Sequence, residues 1–250
     1  MAGHSQFANI KHRKGAQDAK KAKIFTKLIR EITVAAKSGQ PDPNFNPRLR
    51  NAIIEARNHN MTKDKVDAAI KKVAAGADTS NFEDIRYEGY AAGGVAIIVE
   101  ALTDNRNRTA SEVRSIFTKM GGSLGETGSV GFMFDKVGII EFAGNVASEE
   151  QIFELALQVG ANEIESGDTH LITTSSDNFI AVRDALNKQF GDALSAKITW
   201  LAKNTIFIDD FDTAKSILKL IDLLEDCDDV QLVVGNYQFS DAVWQKYNEI

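Results

Sequence analysis

Apolar positions along the chain follow two different periods, and the change from one to the other divides it. From Gln17 to Lys37, the residues Ile24, Phe25, Leu28, Ile29, Ile32, Ala35 and Ala36 recur by threes and fours, which predicts an amphipathic helix. Lys20, Lys23, Lys27, Arg30 and Lys37 recur at similar spacing on roughly the opposite face, and Gly39 stops the helix. Asn46 followed by Pro47 reads as an N-cap and first-turn proline of a second helix, with Leu49, Ile53 and Ala56 inward. Thr62 can cap a third, carrying Val66, Ala69, Ile70 and Val73 and ended by Gly76. Three short helices with short connections make a small helical domain.

After Asp78 the pattern becomes that of strands. Tyr87–Tyr90 and Val95–Val99 predict two strands joined through Ala91-Ala92-Gly93-Gly94. Thr109 and Glu112 form a capping-box pattern opening a helix that buries Val113, Ile116, Phe117 and Met120, and Val130 to Phe134 predicts a further strand. The next stretch has a complete pattern of its own. It runs from a strand at Ile139–Phe142, through a helix opened by Ser148 and Gln151, to a hairpin around Gly167-Asp168. A helix ending at Gly191 and a strand at Lys197–Trp200 complete it. That order, β-α-β-β-α-β, is ferredoxin-like. The tail adds a strand at Ile206–Ile208, a helix with Ile217, Leu218, Ile221 and Leu224, and a strand with Val230, Leu232 and Val234.

The tail has no partner sheet of its own, and the segment before residue 136 lacks a final helix and strand. The economical arrangement is therefore α+β. A helical domain spans 1–77, an α+β domain is built from 78–135 plus 203–250, and a second ferredoxin-like α+β domain, 136–202, is inserted into the middle one.

Composition changes this picture at one point. The 250 residues are 43% apolar and 26% charged, enough to bury a core, and no apolar run approaches a membrane span. The single cysteine, Cys227, cannot form an internal disulfide, which fits a reducing compartment. The net charge of −6 is unevenly spread. Residues 1–76 hold 16 Lys and Arg against 6 Asp and Glu, whereas 77–250 hold 13 against 29. A basic head on an acidic body suggests a polyanion partner for the head, toward which the body's repulsion would help to orient it.

Two segments could carry that chemistry. The first thirty residues hold eight Lys and Arg and one acid, Asp18, and Lys11-His12-Arg13-Lys14 lies close to the aromatic Phe7. Lysine and arginine neutralise phosphates and release counterions, and an aromatic can stack on an unpaired base. A basic tail with no specific contact has the same composition, and both readings stay open. The second segment, Thr103 to Thr109, leaves a strand and enters a helix. There Arg106 and Arg108 could hold an anion near the helix N-terminus, or could pair with Asp104 and Glu112.

Enzyme chemistry finds no constellation. His4, His12, His59 and His170 are scattered without metal-ligand spacing, and no P-loop or nucleophile elbow occurs. The expectation is a non-enzymatic protein with no cofactor, no metal, no small-molecule substrate and no membrane association. The run Glu225-Asp226-Asp228-Asp229 reads as a solvated helix end and Cys227 as structural.

Taken together, these blocks resemble the YebC family. Gly3-His4-Ser5 and Ala8–Lys14 are similar to its opening, and Lys23–Ile32 and Asn46–Arg50 to its next blocks. Tyr87–Tyr90, Gly93–Glu100, Leu102–Thr109, Gly128–Val130 and Phe132–Phe134 are similar to its middle domain. The chain departs from the family pattern in three places. Gln6-Phe7 stands for Lys-Trp, Ala91-Ala92 for Gly-Pro, and Thr62 for a frequent Pro.

The resemblance implies three domains, the last inserted in the second, and a cytoplasmic protein without a presequence. It also implies a probable transcriptional regulatory protein that binds DNA. The alternative it carries, through mitochondrial translational activators, is a ribosome-associated translation factor binding rRNA or tRNA. On either reading the nucleic-acid contacts would come from Phe7, Lys11, His12, Arg13, Lys14, Lys20, Lys23, Lys27, Arg30, Arg48 and Arg50, with Arg106 and Arg108 as a candidate anion site. A protein partner for the acidic domains remains an open alternative.

Overall fold

The computed structural model describes residues 21–78 and 80–248. Three helices come first: α1 (Lys21–Ser38), α2 (Pro47–Asn58) and α3 (Lys63–Ala74). Asn46 caps α2 by accepting a hydrogen bond from the Leu49 amide at 3.0 Å, and Pro47 supplies a first-turn residue with no amide to satisfy. Thr62 flanks α3 with extended backbone but makes no side-chain cap bond. After these helices the chain is mixed α and β, as its pattern predicts.

The chain divides into two compact units, one comprising Met1–Arg30, Thr79–Asp135 and Leu201–Ile250, the other Glu31–Asp78 and Lys136–Trp200. In the first, β1 (Glu83–Tyr90) and β2 (Ala96–Thr103) form an antiparallel hairpin, with Glu83 opposite Thr103 and Tyr90 opposite Ala96. The connecting turn needs Gly93 and Gly94 in the left-handed region, at φ 71° and 73°. α4 (Arg106–Lys119) follows, then the short β3 (Ser123–Leu124) on the free edge of β1. Close approach of β3 explains Gly89, because a Cβ there would lie 2.5 Å from the Ser123 carbonyl oxygen and 2.8 Å from Phe117.

From the tail, α7 (Phe211–Asp226) packs on this sheet and β9 (Val230–Gly235) joins its other edge, giving the order β3-β1-β2-β9. Val95, Ile97 and Val99 of the sheet side meet Val113 and Phe117 of α4 and Ile217, Leu218, Ile221 and Leu224 of α7 in one buried cluster. β8 (Ile206–Ile208) pairs in parallel with β10 (Tyr237–Phe239), and α8 (Asp241–Asn248) closes the tail.

The second unit contains the sheet β5-β6-β4-β7, formed by β4 (Phe134–Ala143), β5 (Glu163–Ser166), β6 (Thr169–Ser175) and β7 (Ser195–Ala202). With α5 (Glu149–Gln158) and α6 (Phe179–Phe190) this is the ferredoxin-like order and strand arrangement. Ser148 and Gln151 make the reciprocal capping box at α5. Ile140, Phe142, Ile152, Ile172, Phe179, Val182 and Leu186 fill the core. In the same unit Asn51 of α2 accepts a hydrogen bond from the buried Arg183 of α6.

Three local expectations are corrected. The N-cap of α4 is Asn105, which accepts from the Arg108 amide at 3.0 Å, not Thr109. The Thr109 hydroxyl is buried and spends its bonds on Thr103 and Asp229. Val130 to Phe134 is not a strand of its own. Glu88, buried in β1, accepts the Val130 and Gly131 amides at 2.8 and 2.7 Å and holds a short 3-10 turn at Gly131–Met133. β4 then starts at Phe134 and absorbs the expected strand at Ile139–Phe142. The third correction concerns the acidic run after Leu224: Asp226 and Asp228 are exposed, as expected of a solvated helix end, but Asp229 is buried.

Candidate nucleic-acid interface

The last carbonyls of any α-helix lack partners within the helix and carry the negative end of its dipole, so cations are favoured there. α7 ends in Glu225-Asp226, which adds formal negative charge to that end. The polar stripe of α1 supplies the cations. Lys27 Nζ donates to the Glu225 carbonyl at 2.6 Å and Lys23 Nζ to the Asp226 carbonyl at 3.1 Å, with the Asp226 carboxylate 3.5 Å away. Arg30 donates to the carbonyls of Leu102 and Asp228 at 3.0 and 2.9 Å and to the Asp229 carboxylate at 2.7 Å. Its guanidinium also lies 4.9 Å from the centre of the Phe82 ring.

Asp229 is the centre of this junction. It is 4% exposed and accepts from Arg30, Arg108, Thr103 and Thr109, the Arg108 and Thr109 bonds being 2.7 and 2.6 Å. Burial opposes its charge, but those hydrogen bonds outweigh burial and hold the carboxyl down at about 2. Lys27 behaves differently: burial lowers its pKa, and the neighbouring Glu225 only partly restores it. Cys227, the residue after α7, is buried. Burial and the adjacent Glu112 push its thiol up to about 12, which leaves it protonated and unreactive at neutral pH.

Around the junction opens a polar cleft of about 520 Å³ lined by Lys23, Arg30 and Arg108 together with Asp104, Glu112 and Asp226 to Asp229. Both signs of charge line it, with acids in excess, so the cleft as it stands does not offer a phosphate a simple positive surface. Among the described residues no group of His, Cys, Asp and Glu is arranged to hold a metal ion.

The residues singled out in the sequence are therefore distributed as follows. Phe7, Lys11, His12, Arg13, Lys14 and Lys20 lie outside the described residues. Lys23, Lys27 and Arg30 are brought together on one stripe against the end of α7, with Lys23 half exposed and Lys27 and Arg30 more enclosed. Arg48 forms a two-pronged pair with Glu31, at 2.7 and 3.0 Å. Arg50 donates to the carbonyls of Pro43 and Asn44 and approaches Asp184 at 3.5 Å. Arg108 pairs with Asp104 and Asp229, whereas Arg106 stays 70% exposed, 3.8 Å from Glu83. Arg57, Lys63 and Lys71, which sequence reasoning did not single out, are exposed on α2 and α3. It also missed Asp229 as the organising acid. No local signal marks it, because Arg30 is 199 positions away and Arg108 is 121 away.

Comparison with known proteins places these residues in a family. Residues 5–76 match the TACO1/YebC protein N-terminal domain, and residues 82–237 match the TACO1/YebC second and third domain. A probable transcriptional regulatory protein of Rickettsia bellii is 54% identical over 246 residues, covering 98% of this chain and 96% of its own. The crystal structure of a conserved hypothetical protein from Aquifex aeolicus superposes with a TM-score of 0.80 at 45% identity, covering 90% of this chain and 93% of that one.

Proposed function

The chain belongs to the TACO1/YebC family, and from that premise we propose that it is a non-enzymatic, DNA-binding regulator of transcription acting in the cytoplasm. The observation that carries this reading is the partition of charge, with 16 Lys and Arg against 6 acids in residues 1–76 and the reverse excess beyond. The name of the Rickettsia bellii relative supports it. No helix among the described residues is long and apolar enough to cross a membrane.

In this reading Lys11, Arg13, Lys14 and Lys20 of the basic amino-terminal sequence contribute phosphate contacts, together with His12 and Phe7. Lys23 and Lys27 of α1 add to these contacts. Lys27 is held by an ammonium–carbonyl bond and Lys23 by one carbonyl bond and a half-exposed carboxylate pair, contacts that phosphate oxygens can replace. Arg30, Arg48 and Arg50 are committed to the protein's own acids and carbonyls, so their work is to position α1 and α2. Contacts of this type give affinity without sequence information.

Crosslinking in cells followed by sequencing of the bound nucleic acid tests the proposal. Enrichment of promoter DNA is the expected result. Capture dominated by ribosomal or transfer RNA would overturn the DNA assignment and move the protein to translation.

A further inference from the structure

We propose that the end of α7 is an autoinhibitory clasp, in which the protein's own acidic helix terminus occupies Lys23 and Lys27 and competes with the polyanion for them. The inference rests on the nucleic-acid reading above and adds its regulation. Three observations support it. First, the stripe on α1 and the end of α7 are complementary: two lysines donate to the last-turn carbonyls of Glu225 and Asp226, at 2.6 and 3.1 Å, and both partners carry an additional carboxylate. A helix C-terminus with acidic side chains presents to a lysine much the same field as a phosphate.

Second, the grip is graded along the stripe. Lys23 and Asp226 are 48% and 44% exposed, so water and salt screen their pair, while Lys27 is more enclosed and Arg30 is fixed by three acceptors, one of them the buried Asp229 carboxylate. The outer two lysines can therefore let go while Arg30 keeps α1 attached. Third, the cleft beside the stripe is lined by Asp104, Glu112, Asp226, Asp228 and Asp229, so a polyanion entering it must overcome their repulsion. Such a clasp lowers affinity for short or sparse polyanions and is displaced by one dense enough to neutralise several lysines together.

The test is fluorescence anisotropy with a mixed-sequence DNA duplex across a salt series, using the full chain. The variants compared with wild type are Glu225→Gln/Asp226→Asn, the same pair combined with Lys23→Ala/Lys27→Ala, and, as a control for net charge alone, Glu149→Gln/Glu150→Gln on α5. The clasp predicts that Glu225→Gln/Asp226→Asn, which removes the two carboxylates and leaves the two carbonyl bonds in place, binds several-fold tighter with a steeper salt slope, because the lysines then leave the carbonyls more readily for phosphate. It further predicts that the gain disappears when the lysines are removed. An unchanged affinity, a gain that survives without the lysines, or an equal gain in the charge control would overturn the clasp while leaving the nucleic-acid reading standing. Absence of binding by every variant at low salt would overturn both.

Discussion

Lys23 and Arg30 sit on the same stripe of one helix, seven positions apart, and both meet acids around the end of α7, yet they do different physical work. Lys23 makes a half-exposed pair with Asp226, in which Coulomb attraction is screened and side-chain entropy is lost. The Arg30 side chain is 15% exposed and reaches that of Asp229, which is 6% exposed and is kept charged by its donors. Breaking the outer pair leaves two solvated ions. Breaking the inner one takes a buried guanidinium and a buried carboxylate out of a network in which each has further partners, Leu102 and Asp228 for Arg30 and Thr103, Arg108 and Thr109 for Asp229, and a charge lost from such a network is costly. Charge of one kind on one face is therefore loosely held at one end and structural at the other, and burial decides which.

Three substitutions or conditions probe that contrast, the largest effect first. Asp229→Ala removes the acceptor of Arg30, Arg108, Thr103 and Thr109 together, and should cost about 3 kcal/mol, read as a lower urea midpoint in chemical denaturation. Acid comes next. The Asp229 carboxyl titrates at about 2 when folded, below its value in an unfolded chain, so the stability it adds is fully present above about pH 4. It should decline as pH falls through 2, and Asp229→Asn should flatten the loss of thermal stability between pH 4 and pH 2. Lys23→Ala should change stability by less than about 0.5 kcal/mol, because its pair is half exposed. A loss from Lys23→Ala as large as that from Asp229→Ala would erase the distinction between the two ends.

Most of the fold can be read from local chemistry. The inserted sheet unit follows from self-contained signals: the Ser148–Gln151 box, the Gly167-Asp168 hairpin and the Gly191 stop each act within a few residues. The tail is harder. β10 and α8 went unpredicted because Tyr237, Phe239, Trp244 and Tyr247 show no clean period and find their order by stacking on one another. The turn at Gly131–Met133 was missed because a carboxylate 42 positions upstream, on Glu88, fixes it.

The candidate site divides the same way. Its basic residues are visible in composition, but what each one touches is not. The acids that engage Lys23, Lys27 and Arg30 lie about 200 positions later, in a run whose sequence alone suggests open solvent.

The most direct test of the central claim is the salt dependence of duplex DNA binding by the wild-type chain and by Lys11→Ala/Arg13→Ala/Lys14→Ala. The account predicts weaker binding by the variant and a slope of log affinity against log salt that is shallower by about 3, one for each phosphate left without its cation. An unchanged slope and affinity would mean that the basic amino-terminal segment is not what meets the nucleic acid.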